Sequence, residues 1–426
     1  MRLYAGKMIW AGIGWLVCLA AQAQIKTLRP MEYGTYMELV CKQNLGYAAE
    51  RLGVSVAGAE AQAARVFNDP QVSVEYADND ERRLQMGRSV SVELGKTFSF
   101  GKRSARIDLA ESEKELNESL LEDYFQRLRA EATLAWFEAL KQAALHDVRE
   151  NSCEQLRRLA ETDSIRFALG SITDVDALQS RLEAEKAAAG LLESYAGMLN
   201  ACEATGVWTG VFDPHLLPCP AGVLRLQERA FDAGLLLQTA LENRADLAAA
   251  LKSVDVARKA LLVARRERNT DVDLALGYSY NMEVRNEIAP APAFNGLTLG
   301  VSVPLKFSVA NRGALRAAEL RQQQAELNYR QAELEIRTSV VQHLRTYAAR
   351  LEQAKRFEAG MLDRARAILE GKRYSYERGE TSRLEALVAQ QTFDDLQAAY
   401  IETVFDSLAA LIELERSAGI WDIAVE

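Results

Sequence analysis

The feature that most restricts this chain is a glycine-punctuated break between two helical runs, and it occurs twice. Ile165-Arg166-Phe167-Ala168-Leu169-Gly170-Ser171-Ile172-Thr173-Asp174-Val175-Asp176-Ala177-Leu178 has a counterpart 209 residues further on, in Tyr374-Ser375-Tyr376-Glu377-Arg378-Gly379-Glu380-Thr381-Ser382-Arg383-Leu384-Glu385-Ala386-Leu387. Each copy places an aromatic residue three before the glycine and a carboxylate six after it, followed by Ala-Leu. Gly170 and Gly379 sit where a long helix needs a left-handed C-cap, and Ser171, Thr173, Thr381 and Ser382 can N-cap the helix that follows. Each copy therefore predicts the tip of a helical hairpin.

The similarity extends along the chain. Ala48, Ala49, Val54, Val56, Ala57, Ala64, Arg65 and Val72 recur 200 residues later as Ala248, Ala249, Val254, Val256, Ala257, Ala264, Arg265 and Val272. At an offset of 209, Phe98-Ser99 matches Phe307-Ser308, and Arg103 and Ala105 match Arg312 and Ala314. The chain thus reads as a tandem duplication with nine extra residues in the second copy, between the two matched blocks. The first repeat is expected at 24–208, with strands about 71–98 and a helical hairpin about 102–206. A proline-rich linker is expected at 209–224, and a second repeat at 225–426, with strands about 271–307 and a hairpin about 311–417.

Arg2 and Lys7 precede an apolar run from Met8 to Ala21 and the small-residue site Ala21-Gln22-Ala23, the pattern of a secretory signal at 1–23. Cys18 follows the bulky Val17, a poor context for acylation. Export brings Cys41, Cys153, Cys202 and Cys219 into an oxidising compartment. Cys202 and Cys219 are the only pair close in sequence, but buried or unpaired thiols are the favoured expectation for all four. The net charge of −9 offers no basic face for nucleic acid. Beyond the signal no apolar run approaches ~18 residues, so a bilayer could be crossed only by strands.

Such strands are present. Val72, Val74 and Tyr76 alternate with Ser73 and Glu75, and Val90, Val92 and Leu94 with Ser91 and Glu93. The second copy has Leu274, Leu276, Tyr278 and Tyr280, then Leu297, Leu299, Val301 and Val303, each set opposed by small or polar residues. Alternation of this kind over ~9–11 residues is the signature of barrel strands, with the apolar face toward lipid. Four strands cannot close a barrel and lipid does not tolerate open edges, so a three-fold assembly supplying twelve is expected. Around the strands run long helical patterns, from after Gly101 to Leu169 and from Arg312 to Arg378, each followed by a second helix. Nearly seventy residues make roughly 100 Å of helix, too long to bury in one core, so these helices must pack lengthwise.

Chemistry-bearing motifs are absent. His146, His215 and His343 stand alone, Gly95-Lys96-Thr97 lacks the first glycine of a phosphate loop, and neither a nucleophile elbow nor an HExxH helix occurs. No enzyme activity, cofactor or metal site is expected.

The signal, the duplicated order of helix, strand hairpin and long helix, and the paired turn aromatic-x-x-Gly-x(5)-Asp/Glu resemble the outer-membrane efflux protein (TolC) family. The resemblance implies a mainly α protein with transmembrane β-strands. Three copies would close a twelve-stranded outer-membrane barrel and a periplasmic helical tunnel, the exit duct of a tripartite efflux pump. It further implies a periplasmic gate formed by Asp176 bonding to Tyr376 on the neighbouring coil, with Glu385 ringing the constriction. Thr381 and Val388 stand where the best-studied members carry an arginine and a second aspartate; Arg383 lies close to the former. The turns at Gly170, Ser171, Gly379 and Glu380 would meet a periplasmic adaptor that links the duct to an inner-membrane transporter. Val90, Val92, Leu94, Leu299 and Val301 would meet outer-membrane lipid. A type I protein-secretion duct is the alternative within this class. A periplasmic coiled-coil structural or adaptor protein with a small soluble sheet is the alternative outside it.

Overall fold

The computed structural model describes residues 27–79, 81, 85–213, 215–304 and 310–423. The signal at 1–23 with Cys18, and Phe307 with Ser308, lie outside them. In chain order the elements are β1 (Thr27–Met31), α1 (Tyr33–Gln43), α2 (Leu45–Ala64), β2 (Gln71–Asp78), β3 (Arg88–Phe98), α3 (Lys102–Ala168), α4 (Asp174–Thr209) and β4 (Leu216–Pro220). There follow α5 (Ala233–Asn243), α6 (Ala245–Arg266), β5 (Val272–Asn281), β6 (Phe294–Ser302), α7 (Ala310–Arg356), α8 (Leu362–Glu377) and α9 (Arg383–Ala418). α1 and α5 are both 11 residues long, and α4 and α9 are both 36, so paired elements recur at the offsets of the sequence repeat.

The helix ends show how the sequence sets these bounds. At Gly170 (φ 73°) the Ser171 amide reaches back to the Arg166 carbonyl and the Gly170 amide to that of Phe167, which satisfies the last carbonyls of α3. Gly379 (φ 76°) repeats this with Glu380 to Ser375 and Gly379 to Tyr376. Of the four candidate N-caps the structure uses Thr173 and Ser382, whose hydroxyls accept from the Asp176 and Glu385 amides. Between α1 and α2, Asn44 is extended; its Oδ1 accepts from the Tyr47 amide and its Nδ2 donates to the Trp208 carbonyl.

The chain forms two compact units, with α3 and α7 contributing to both. The first holds residues up to 48, 125–242 and those from 338 on. Its core is Trp136 and Tyr36, both fully buried, with Val40, Val404, Leu408, Leu411, Ile412 and Leu414. The Tyr36 hydroxyl donates to the Ala132 carbonyl, and Tyr33 meets Trp136 edge-on. Glu415, fully buried on α9, accepts from Arg229 at 2.9 Å and from the Asp422 amide. Burial raises its carboxyl above the ordinary value, and Arg229 offsets part of that cost.

Three sequence expectations change in this unit. The linker is not wholly irregular: β4 pairs in parallel with β1, Leu28 opposite Leu217 and Pro30 opposite Cys219. A two-stranded sheet has only edges, so prolines at 30, 218 and 220 cost it few ladder bonds. That strand carries Cys219 to the end of α4, where it forms a disulfide with Cys202 across a Cα separation of 5.0 Å. The thiols at 202 and 219 are therefore paired, and a cross-link over a 17-residue separation contributes roughly 3 kcal/mol in the chain-entropy picture. Cys41 and Cys153 remain free. The third change is in the second hairpin, where helix does not run unbroken to Arg378. Phe357–Met361 form a π-type segment with Gly360 at φ 97°, whereas α3 continues without interruption for 67 residues.

The second unit, 49–124 with 243–337, contains one four-stranded antiparallel sheet in the order β2-β3-β5-β6. Its two edges are β2 and β6. The register aligns Val74, Val92, Tyr278 and Leu297 in one row and Val72, Leu94, Leu276 and Leu299 in the next. β5 ends at Asn281 and β6 starts at Phe294, so the second loop is only three residues longer than the first and holds only part of the insertion; a bridge between Val284 and Ala291 pinches it.

Candidate functional site

Two surfaces stand out, the hairpin tips in the first unit and the two faces of the sheet in the second.

At the tips, Asp163 of α3 is fully buried and binds two hydroxyls: Tyr376 of α8 donates to one oxygen at 2.6 Å, and Ser180 of α4 donates to the other. From α9, Arg383 donates to Ser180 Oγ at 3.2 Å and to Gln179 Oε1, and its Nε lies 3.9 Å from Asp176. Arg166 lies 4.8 Å over the Tyr376 ring and donates to the Glu377 carbonyl. All four hairpin helices thus meet on one polar cluster. Burial, reinforced by the carboxylate acceptor, pushes the Tyr376 hydroxyl up to about 12, so it remains a proton donor at neutral pH.

Within one chain Asp176 and Tyr376 have separate partners. The Tyr376 hydroxyl is held by Asp163, while Asp176 is half exposed and closes a capping box with Thr173, whose hydroxyl donates to it at 2.7 Å. That bond holds the Asp176 carboxyl below its ordinary value. Glu385 occupies the same capping position over Ser382, and Lys372 binds it at 2.5 Å, the main reason its carboxyl also lies low. The acidic group expected to line a constriction therefore carries its own counter-charge. Asp163 and Lys372 are equivalent positions of the two repeats, 209 residues apart, and they carry opposite charges. Sequence periodicity could have found Asp163, because it continues the stripe Leu156, Leu159 and Ala160 about two turns before the tip.

Gly170, Ser171, Gly379 and Glu380 are exposed at the two turns, and nothing in the chain lies within 4 Å of a Cβ built on either glycine. Ile165, Leu169, Val175, Leu178 and Leu182 leave an apolar surface on the first hairpin, and Ile368, Leu384 and Val388 leave another on the second.

The sheet has one large-apolar face and one small-polar face. Val72, Val74, Tyr76, Val92, Leu94, Leu276, Tyr278, Leu297, Leu299 and Val301 are all exposed on the first, with Val90 half-buried in the same register. Leu299 keeps 76% of its surface open within this contiguous apolar band, the kind of patch that marks a contact with lipid or a partner. The band is bounded by Arg88 and Asp78, 3.1 Å apart, at one end and by Lys96 and Phe98 at the other. From Arg88 to Phe98 is about 33 Å of strand at 3.3 Å per residue, or about 25 Å when tilted by about 40°. The opposite face carries Ser73, Glu75, Ser91, Glu93, Asp273, Ala275, Gly277, Ser279, Thr298 and Gly300. Small residues there let the sheet curl toward that side, and the charges on it are acidic.

No group of three or more His, Cys, Asp or Glu among the described residues could hold a metal ion, and no described helix is long and apolar enough to cross a membrane.

Residues 236–420 match the family model described as outer membrane efflux protein. The chain is 26% identical over 379 residues to the cobalt-zinc-cadmium resistance protein CzcC of Cupriavidus metallidurans, covering 88% of this chain and 86% of that one. In fold it is similar to the CmeC outer membrane channel of Campylobacter jejuni, with a TM-score of 0.76, 15% identity, and coverage of 91% of this chain and 85% of that one. The open state of the MtrE outer membrane channel of Neisseria gonorrhoeae gives a TM-score of 0.73 at 15% identity, covering 90% and 88%.

Proposed function

We propose that this chain, which matches the outer membrane efflux protein model over residues 236–420 and is similar to CzcC over most of its length, is the outer-membrane exit duct of a tripartite efflux system, with divalent metal cations as its cargo. Three copies close their sheets into a twelve-stranded barrel in the outer membrane, and their long helices form a periplasmic tunnel. The observation that carries this reading is the sheet itself: four strands with an exposed apolar band on one face, a small polar surface on the other and two unpaired edges. The duct itself is a passive path for its cargo. A periplasmic adaptor meets the exposed turns at Gly170 and Gly379 and couples the duct to an inner-membrane transporter. The cluster around Asp163 holds the two hairpins of a chain together and keeps the tip closed.

The metal cargo rests on the likeness to CzcC and on the charge of the polar face, where Glu75, Glu93 and Asp273 favour cations over anions. Deleting this gene while keeping its pump and adaptor should reduce tolerance of zinc, cobalt and cadmium several-fold, and re-expression should restore it. Unchanged metal tolerance with lost tolerance of organic dyes would instead assign the duct to drugs.

A further inference from the structure

Lys96 is the one cation in the apolar rows of the sheet between the strand ends. The register sets it opposite Leu274, with Val301 beyond. Its ammonium lies 5.0 Å from the centre of the Phe67 ring and 5.6 Å from that of Phe98. Three other basic groups near this end of the sheet are each paired with a carboxylate: Lys102 with Asp271 at 2.6 Å, Arg65 with Glu111 at 2.7 Å and Arg106 with Glu267 at 2.5 Å. At the far end of the band Arg88 has Asp78. Lys96 has only the two rings and no carboxylate among the described residues. A cation between two rings is partly compensated by their faces, but it lacks a full counter-charge once water is thinned around it.

We propose that Lys96, Phe67 and Phe98 form a seat for an anionic phospholipid headgroup at the edge of the membrane band nearest the helices. Phe67 and Phe98 are exposed and insert beside the acyl chains, and Lys96 takes the phosphate. This end adjoins the start of α3, so the lipid belongs to the leaflet facing the periplasm. The inference rests on the membrane reading of the sheet. It makes the residue before Thr97 an anchor that fixes the height of the duct in the bilayer, a role that an aliphatic residue in that row could not supply.

Native mass spectrometry of the full-length protein, extracted in detergent doped with phosphatidylglycerol, tests this. The wild type should retain that lipid in preference to phosphatidylcholine, Lys96→Gln should retain about five-fold less per site, and Lys96→Arg should behave as wild type. Phe67→Leu, outside the strands, should give a smaller loss and serves if Lys96→Gln assembles poorly. Equal retention by wild type and Lys96→Gln, equal retention of the two lipids by the wild type, or displacement by millimolar inorganic phosphate would each overturn the seat. Failure of the wild type to enter a membrane at all would overturn the barrel reading instead, and the two failures are therefore distinguishable.

Discussion

Arginine in place of Val92 should stop the protein from assembling in the outer membrane, whereas arginine in place of the adjacent Ser91 should be tolerated. Val92 lies in the middle of the apolar band, with Val74 on one side and Tyr278 and Leu297 on the other. A charge at that depth on a lipid-facing strand costs about 2–4 kcal/mol, and in a trimer it is incurred three times. Ser91 points to the opposite face, opposite Glu75 and Ser279, where an arginine meets water and acidic neighbours. Outer-membrane fractionation with resistance of the trimer to detergent at room temperature measures both. Equal loss, or equal tolerance, would mean that the two faces of the sheet do not meet different solvents.

The second large effect is expected at Asp163. Tyr376→Phe removes one donor from a buried carboxylate, and Asp163→Ala leaves two hydroxyls without an acceptor, a loss of about 1–3 kcal/mol per chain with the second substitution at the upper end. Each 1.4 kcal/mol is roughly ten-fold in the balance between closed and open tips. Planar-bilayer recordings should therefore show larger and longer openings for both variants. Asp176→Ala should remain near wild type, because Asp176 is spent on its own helix cap. The reverse order, with Asp176 controlling opening and Asp163 silent, would place the closing contact between chains rather than within one.

Much of this was legible in the sequence because it is local. Glycines at 170 and 379, the capping residues after them and the alternation at Val90, Val92 and Leu94 each act within a few residues, so their patterns survive without any knowledge of the fold. What escaped depends on elements far apart in the chain. Asp163 and Tyr376 are 213 residues apart, and no local pattern links them. The Cys202–Cys219 bond depends on β4 pairing with β1, which the prolines at 218 and 220 disguised as loop. The interruption at Gly360 had a visible cause, a glycine within a helical run, but the repeat suggested continuity because its counterpart in α3 is Asn151.

The most direct measurement of the barrel is amide hydrogen exchange along the two edge strands of the protein extracted from the outer membrane. Closure among three chains pairs the outer edges of β2 (71–78) and β6 (294–302), so their amides should be protected as strongly as those of the central strands β3 and β5. Rapid exchange confined to the outward amides of β2 and β6, with β3 and β5 protected, would mean an open four-stranded sheet and would contradict the duct.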